Sequence, residues 1–254
     1  MSIITGGGRG IGRAIAQRFA KEGAAVVVTA RTAGEIEAVA GEIRSAGGRA
    51  AAVAADIARE DDCARIVAAT REKFDRIDIL VNNAGIFGPV KPAEEITAAE
   101  WDEALAINLR AAFLLARLVL PEMYARGSGT ILNISSLAAK AAFAWEAPYA
   151  ASKAGLLGLT RCLAAEAARK GVRVNAICPG PVFETNMSKE LGLELSRRMG
   201  MDPKKQVEDF ANTVLQGRGQ TAEEIAAAAV FLVSSEASAI TGQAVNVDGG
   251  MAFY

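Results

Sequence analysis

Tyr149 and Lys153 lie four residues apart, and Ser136 precedes Tyr149 by thirteen positions. If this stretch is helical, residues at positions i and i+4 share a face, so a phenol and an ammonium point to the same place. The chain contains no histidine, and proton transfer near neutral pH therefore needs another group. Because a nearby positive charge lowers the pKa of a tyrosine, the pair predicts Tyr149 as a general acid or base. Taken alone, the pair also fits a packed tyrosine beside a solvated lysine.

A glycine-rich segment near the start of the chain predicts a binding loop for a dinucleotide. Its glycines follow a short strand-like run and precede a helical pattern. Glycines allow a tight turn and let the backbone approach a pyrophosphate, and the N-terminus of the following helix attracts the anion. A second strand pattern comes next, which is the context that this interpretation requires. The loop residues expected at the cofactor are Gly6, Arg9, Gly10, Ile11 and Gly12.

The end of the second predicted strand indicates which nicotinamide dinucleotide is bound. NAD sites place an acid there for the ribose 2′-hydroxyl, whereas NADP sites place an arginine near the 2′-phosphate. Here Arg31 and Thr32 follow the strand, and no carboxylate occurs before Glu35. Since Arg31 and Arg9 can both bind a phosphate, we expect NADP(H) rather than NAD(H), with Thr32 beside it. The alternative is that both arginines are solvated loop charges.

Short apolar runs alternate with longer amphipathic stretches along most of the chain. Such runs are typical of strands buried on both faces, as in parallel sheets. The alternation predicts an α/β fold, a single doubly wound Rossmann domain over residues 1–254 with a mostly parallel seven-stranded sheet and helices on both faces. After a short first strand before Thr5, the predicted strands are residues 25–29, 50–54, 77–82, 130–134, 172–177 and 244–247. The predicted helices are residues 12–21, 33–45, 63–74, 101–124, 149–170 and 222–234.

Residues 183–216 interrupt this alternation. They contain no strand pattern, only charged and methionine-rich helical patches at residues 193–199 and 203–215. The segment follows a strand end, where α/β folds bind their ligands. We therefore predict a helical insertion that forms a lid over the substrate. A well-packed surface excursion is the alternative.

Composition argues against several classes of protein. The formal net charge is −1 and no block of like charge stands out, which is not typical of a nucleic-acid-binding surface. Three distant cysteines and no histidine predict neither a metal site nor a disulfide framework. The most apolar helix, near residues 111–120, is expected to be too short and too charged to span a bilayer, and we find no signal-peptide pattern. We expect a cytoplasmic protein without a nucleic-acid or membrane partner.

Six motifs occur in order along the chain. They are Thr5-Gly-xxx-Gly10-x-Gly12, Asn82-Asn83-Ala84-Gly85, Asn108, Ser136, Tyr149-xxx-Lys153 and Pro179-Gly180. In this combination the sequence resembles the short-chain dehydrogenases/reductases, in their compact single-domain branch. The closing run Ile240-Thr241-Gly242-Gln243 with Asn246-Val247-Asp248-Gly249-Gly250 is similar to that of the 3-oxoacyl-carrier-protein reductases. The resemblance implies a nicotinamide-dependent ketone reductase or alcohol dehydrogenase that assembles as a homotetramer.

The resemblance also implies a role for each matching residue. Tyr149 would be the general acid or base, Lys153 would lower its pKa and hold the nicotinamide ribose, and Ser136 would bind the substrate oxygen. Asn108 would support a water chain from Lys153 to solvent. The remaining cofactor contacts would be Asp56 and Ile57 after the third strand, Asn83, Ala84 and Gly85 after the fourth, and Pro179, Gly180, Val182 and Thr185 after the sixth.

Two departures from the carrier-protein reductases leave the substrate open. The insertion at residues 183–216 is longer than expected for that group, and one additional residue precedes Thr185. An acyl thioester, an aryl ketone, a small ketone, a polyol and a sugar therefore all stay in consideration. The expected pocket is mostly apolar and lined by Phe87, Leu137, Ala138, Phe143, Trp145, Phe183 and Met187, with Glu146 and Asn186 nearby.

Other functions on the same fold compete with this prediction. A non-catalytic dinucleotide sensor would usually have lost Ser136, Tyr149 or Lys153, and all three are present. An epimerase or dehydratase of the extended branch has a different glycine spacing and a longer chain. Enoyl reductases space their tyrosine and lysine more widely than four residues. Hydride transfer between the nicotinamide and a ketone or secondary alcohol is therefore the predicted reaction.

Overall fold

In the computed structural model, which describes residues 1–253, the apolar runs form strands and the amphipathic stretches form helices. The strands are β1 (Ser2–Thr5), β2 (Val26–Ala30), β3 (Ala50–Ala54), β4 (Ile79–Asn82), β5 (Gly129–Ile134), β6 (Val172–Pro179) and β7 (Ala244–Val247). The helices are α1 (Gly10–Lys21), α2 (Ala33–Ser45), α3 (Glu60–Phe74), α4 (Ala98–Leu105), α5 (Ala111–Arg126), α6 (Ala147–Ala167), α7 (Asn186–Met199), α8 (Pro203–Asn212) and α9 (Ala222–Val233). A π-helical turn, Ala106–Arg110, joins α4 to α5.

The strands form one sheet in the order β3-β2-β1-β4-β5-β6-β7. Every neighbouring pair is parallel, so the sheet is entirely parallel rather than mostly parallel. The strand order reverses between β1 and β4, and a doubly wound sheet opens a crevice at that point, outside the carboxyl ends of its strands. The predicted α/β Rossmann architecture is confirmed.

Apolar side chains cover both faces of the sheet. One cluster includes Ile66 of α3 and Leu115 of α5, and the other includes Ile15 of α1 and Ile225 of α9. All four side chains are fully buried, and burial of a side chain of this size contributes about 1.5–3 kcal/mol. Strands that are apolar on both faces thus require helices on both sides of the sheet. The carboxyl ends of the strands stay uncovered by this packing and border the crevice.

The helix that contains Asn108 is longer than expected. It is continuous over Ala98–Arg126 and begins before the predicted residue 101, because Thr97 and Glu100 form a capping box. By length and hydropathy it suffices to cross a membrane, which corrects the expectation of a short, charged segment. However, 56% of its most apolar window is buried inside the protein, where the helix packs against α3 and α6. Its apolar character is that of a core helix.

Residues 183–216 contain α7 and α8 and no strand. α7 begins at Asn186, earlier than the predicted patch, because the Thr185 hydroxyl accepts a hydrogen bond from the Ser188 N–H and caps the helix. α8 begins at Pro203, where Asp202 supplies the cap. The two helices contact each other and stand beside the carboxyl ends of the strands, against the candidate site.

Candidate active site

α6 brings Tyr149 and Lys153 to one place, as their spacing predicted. The Lys153 Nζ lies 5.7 Å from the centre of the Tyr149 ring, and both residues are buried. Phe87 stacks on the tyrosine ring, with centroids 4.5 Å apart. Ser136 lines the same cleft beside Tyr149, and its hydroxyl lowers the pKa of that tyrosine. The structure therefore brings together the three side chains expected to do the chemistry.

The carboxyl end of β5 holds α6 in position. The Lys153 Nζ donates a hydrogen bond to the carbonyl oxygen of Ile134 at 2.8 Å. In return, the Ser135 hydroxyl donates to the carbonyl oxygen of Lys153 at 2.9 Å. These two bonds join the strand end to the helix at the residue that carries the ammonium. Ser135 thus supports the helix, whereas its neighbour Ser136 faces the cleft.

A buried chain of polar side chains lies beneath the site. Asn82 of β4 donates to Asn133 of β5 at 2.9 Å, and Asn133 donates to the Thr160 hydroxyl of α6 at 2.9 Å. Buried hydrogen bonds of this kind fix the relative position of the elements that they join. The sequence interpretation gave no role to Asn133 or Thr160. A polar residue inside the apolar run of β5 is the signal that could have pointed to them.

Asn108 occupies the π-helical turn and connects the loop after β4 to α6. Its amide oxygen accepts from the Ile86 N–H at 2.8 Å, and its nitrogen donates to the Ser152 hydroxyl at 2.9 Å. A π turn within an α-helix is rare and is frequently found at functional sites. A Cβ on Gly85 would lie 3.0 Å from the Asn108 oxygen and 3.4 Å from the Lys153 Nζ. Asn108 is thus a buried neighbour of the lysine, behind the cleft.

Burial controls the proton affinity of the central pair. It raises the pKa of Tyr149 to about 12, and the Ser136 hydroxyl offsets part of this rise. Burial also lowers the pKa of Lys153 to about 8. Burial thus acts in the opposite direction to the lowering of the pKa that we expected from Lys153. Tyr149 therefore carries its proton at neutral pH, in the state that can donate to a substrate oxygen.

A cleft of about 1020 Å³ runs along the carboxyl ends of the strands, past Tyr149 and Lys153. It passes the point between β1 and β4 where the strand order reverses. Asn108 is the one predicted site residue outside its wall. The predicted residues that line it are Gly6, Arg9, Gly10, Ile11, Gly12, Arg31, Thr32, Asp56, Ile57, Asn83, Ala84, Gly85, Ser136, Tyr149, Lys153, Pro179, Gly180, Val182 and Thr185.

The glycine loop has the shape that a pyrophosphate requires. Gly6 and Gly10 have φ angles of 63° and 52°, which favour glycine. A Cβ on Gly12 would lie 2.2 Å from the Gly6 carbonyl oxygen, so only glycine fits there. The first turn of α1 contains no acidic residue, and its N-cap makes no side-chain hydrogen bond. The loop and the helix N-terminus therefore fit an anionic dinucleotide.

Thr5 and Asn83 hold the glycine loop against β4. The Thr5 hydroxyl accepts hydrogen bonds from the N–H groups of Asn83 and Ala84, each at 3.0 Å. The Asn83 side chain donates to the Thr5 carbonyl oxygen at 2.8 Å. Asn83 thus uses its amide to support the loop, although it also lines the cleft.

The far end of the cleft carries both arginine candidates and one acid. Arg9, Arg31 and Thr32 are exposed. Arg9 Nη1 lies 3.8 Å from Glu35 Oε1, and 67% of the arginine side chain is accessible. Glu35 therefore lies beside Arg9, one of the two arginines expected at the 2′-phosphate, although it follows the strand end by several residues in the sequence.

The segment after β6 closes the cleft on the side of α7. Val182 is buried, and a Cβ on Gly180 would lie 2.4 Å from Gln220 Oε1. The Thr185 hydroxyl donates to the Val182 carbonyl oxygen at 2.9 Å and accepts from the Ser188 N–H at 3.2 Å. This hydroxyl is thus engaged in capping α7, and its expected contact with the carboxamide stays a prediction.

A smaller cavity of about 150 Å³ opens beside Ser136 and Tyr149. Trp145 was expected in its wall, which is wrong: the chain turns at Trp145 with a φ of 69°, and Glu146 lines the cavity instead. Asn186 lines the large cleft rather than this cavity. α8 contributes Phe210, which the sequence interpretation missed. The apolar wall consists mainly of Phe87, Leu137, Ala138, Phe143, Phe183, Met187, Leu191 and Phe210.

Comparison with known proteins agrees with this geometry. The family model for short chain dehydrogenases matches residues 1–195. Levodione reductase of Leifsonia aquatica is 39% identical over 254 residues, which cover 98% of this chain and 92% of that protein. A 3-oxoacyl-[acyl-carrier-protein] reductase of Synechocystis sp. is 37% identical over 256 residues, covering 100% of this chain and 97% of the relative.

A solved structure gives the same result in three dimensions. The crystal structure of an actinorhodin polyketide ketoreductase variant with NADPH matches with a TM-score of 0.95 and 35% identity, over 100% of this chain and 97% of that one. The matched family model, the curated relatives and the Rossmann sheet lead to one assignment. The chain belongs to the short-chain dehydrogenase family and is a nicotinamide-dependent oxidoreductase that acts on CH–OH and C=O groups.

Proposed function

We propose that the protein is an NADP(H)-dependent ketone reductase, or secondary-alcohol dehydrogenase, in which Ser136, Tyr149 and Lys153 perform the proton chemistry. The observation that carries this proposal is that Ser136 and Tyr149 line both the large cleft and the apolar cavity, while Lys153 lines the cleft beside them. A dinucleotide fits the cleft and a carbonyl compound fits the cavity. The two would then meet beside the Tyr149 hydroxyl.

The chain supplies two hydroxyl groups for the carbonyl oxygen. Reduction of a ketone develops negative charge on that oxygen, and preorganised donors stabilise the charge. Ser136 Oγ accepts from the Ala138 N–H at 3.1 Å, which leaves its proton available for donation. Tyr149 holds its proton, since its pKa is about 12, and would deliver it to the oxygen. The bound nicotinamide supplies the hydride, or accepts it in the reverse direction.

Lys153 assists the tyrosine through its charge. Its pKa of about 8 means that the ammonium form prevails at neutral pH. A positive charge near a phenol favours the phenolate, so the lysine makes the loss of the tyrosine proton easier. Asn108 positions the loop after β4 and α6 around it. Lys153 would also hold the ribose hydroxyls of the nicotinamide half.

The remaining cleft residues would hold the rest of the dinucleotide. Gly6, Gly10, Ile11 and Gly12 would surround the pyrophosphate at the N-terminus of α1. The other proposed contacts are Asp56 and Ile57 at the adenine, Asn83, Ala84 and Gly85 along the middle, and Pro179, Gly180, Val182 and Thr185 at the nicotinamide. All of these residues line the cleft.

The preference for NADP(H) rests on Arg9 and Arg31, which are exposed at the far end of the cleft. Thr32 lies beside them. Glu35 favours NAD(H) as a second candidate, because a carboxylate there can accept from a ribose hydroxyl. Its ion pair with Arg9 is solvent-exposed and is worth about 0–1 kcal/mol, so a phosphate can displace it. The NADP(H) proposal therefore stands first.

Two substitutions decide between the cofactors. Arg31→Ala should lower the preference for NADPH over NADH, measured as the ratio of kcat/KM, at least tenfold, or about 1.4 kcal/mol. Glu35→Gln should leave that preference unchanged or raise it. An unchanged ratio of kcat/KM in Arg31→Ala, together with a lower kcat/KM for NADH in Glu35→Gln, would indicate that the enzyme uses NAD(H).

We propose that residues 183–216 act as a lid over the substrate. α7 and α8 contribute Met187, Leu191 and Phe210 to the cavity wall, which supports this role. A homotetramer is also proposed, with the long helices packing between copies; the exposed Trp101 and Phe113 on Ala98–Arg126 support it. A cytoplasmic location stays a prediction from composition.

The apolar cavity favours an acyl chain or a ring over a bare sugar. A spectrophotometric screen of NADPH and NADH oxidation against acyl thioesters, aryl ketones, cyclic ketones and ketoses tests the proposal. We expect turnover with at least one of the apolar carbonyl classes. Absence of turnover with every carbonyl, and of the reverse reaction with the matching alcohols, would refute the proposed function.

A further inference from the structure

Glu146 is a buried acid that has no partner among residues 1–253. Its accessible fraction is 6%, yet its carboxylate makes no hydrogen bond or ion pair with any of them. It is the N-cap residue of α6, but its side chain makes no capping hydrogen bond. The carboxylate instead lines the apolar cavity that also reaches Tyr149.

Such an arrangement is unfavourable in the protein alone. Burial of the residue removes part of the solvation of this carboxylate, and no hydrogen bond from residues 1–253 replaces it. Burial accordingly raises the pKa of Glu146 to about 7. The polar side chains that line the same cavity are Ser136, Tyr149, Ser188 and Gln206, and phenylalanines form much of the remaining wall. A molecule in the cavity that carries a hydrogen-bond donor would satisfy this carboxylate.

The cavity is open to the large cleft and has room for a small ring. Its volume is about 150 Å³, and an apolar cavity of about this volume holds a molecule the size of benzene. The carbonyl oxygen of the substrate would lie at Ser136 and Tyr149. Glu146 precedes Tyr149 by three residues, about one helical turn, so the donor would lie on the ring at a position remote from the carbonyl carbon.

We propose that Glu146 determines substrate specificity by accepting a hydrogen bond from a hydroxyl or protonated amino group on a small, otherwise apolar ring ketone. This inference rests on the proposed function, because it assumes that the ketone oxygen lies at Tyr149. The rings of Phe87, Phe143, Phe183 and Phe210 line the same cavity. Aromatic faces attract cations, so the amine is accommodated as well as the hydroxyl.

The experiment uses three cyclohexanones that differ at position 4, with a methyl, a hydroxyl or a protonated amino group. For the NADPH-loaded enzyme we expect at least tenfold higher kcat/KM, and at least tenfold tighter binding by calorimetry, for one donor-bearing ring over the methyl ring. Glu146→Leu should abolish this preference and improve the methyl ring. Glu146→Gln should retain a preference for the hydroxyl-bearing ring, because an amide oxygen can accept a hydrogen bond from the hydroxyl. It should lose any preference for the amine-bearing ring.

Glu208→Gln is the matched control, since it removes an exposed carboxylate from α8 and should leave all three rings unchanged. Equal binding of the three rings to the natural enzyme, failure of all three to bind, or a preference that survives Glu146→Leu would each overturn the inference. Turnover of acyl thioesters or aryl ketones without binding of these rings would remove the inference and keep the proposed function. Selective binding of a donor-bearing ring without turnover of any carbonyl would refute the proposed function, and the inference about substrate specificity with it.

Discussion

Replacement of Glu146 by glutamine should change how stability depends on pH. The ordinary pKa of this carboxyl, 4.5, rises to about 7 in the folded protein because the group is buried. Between these two values the folded state binds the proton more tightly than the unfolded state, so the contribution of Glu146 to stability falls as the pH rises and is constant above pH 7. At about 1.4 kcal/mol for each pKa unit, the loss amounts to about 3 kcal/mol.

Denaturant unfolding of the natural protein and of Glu146→Gln, at several pH values between about 4.5 and 8, measures this effect. Glutamine resembles the protonated acid in shape and carries no charge. The two proteins should therefore be similarly stable near pH 4.5, whereas Glu146→Gln should be more stable by about 3 kcal/mol at pH 8. The exposed Glu208→Gln should show no such divergence. Stability curves that stay parallel for Glu146→Gln would refute the claim that a buried, unpaired carboxylate lies in the cavity.

Two further predictions concern the cofactor loop and the last helix. Gly12→Ala should weaken NADPH binding at least tenfold in a fluorescence titration, because the new Cβ would lie 2.2 Å from the Gly6 carbonyl oxygen. Overpacking of this kind costs about 1–3 kcal/mol. Unchanged affinity for NADPH would contradict the loop geometry. Gly41→Ala is the control, since the nearest atom to its Cβ is 3.9 Å away. Thr221→Ala removes the capping box of α9 and should lower the free energy of unfolding by about 1 kcal/mol; an unchanged midpoint in urea would argue against that cap.

The fold was predictable because its signals are local. Strands buried on both faces must be apolar throughout, and those runs, such as residues 130–134, recur between helical patterns. Helix ends were less accurate where a cap was overlooked. The Thr97–Glu100 box starts α4 three residues before the predicted position. At α9 the predicted start at residue 222 is confirmed, and a box of the same type at Thr221 caps the helix there.

The identity of the central side chains was predictable, but their electrostatics was not. The spacing of Tyr149 and Lys153 predicts a shared helix face, and the structure places the two groups together. The depth at which that face is buried depends on β5, Phe87 and the loop after β4, which are distant in sequence. Burial decides the direction of the pKa change for Tyr149, so local spacing could not have predicted it.

The apolar cavity was the least predictable part of the site. Its wall combines the loop after β4, the segments before α6 and after β6, and helices α7 and α8, so it depends on how parts of the chain that are distant in sequence pack together. A left-handed backbone at Trp145 determines that Glu146 lines the cavity while Trp145 does not. No local pattern distinguishes these two neighbours, since a φ above zero is rare for any residue other than glycine.

Tyr149→Phe tests the central claim most directly. The substitution removes one oxygen atom and leaves a ring that can still stack on Phe87. We expect kcat for ketone reduction to fall by about 10²–10⁴-fold, while the Kd for NADPH, measured by fluorescence titration, stays within about twofold of that of the natural enzyme. Ketone reduction at an undiminished rate in Tyr149→Phe would contradict the assignment of the proton to this phenol.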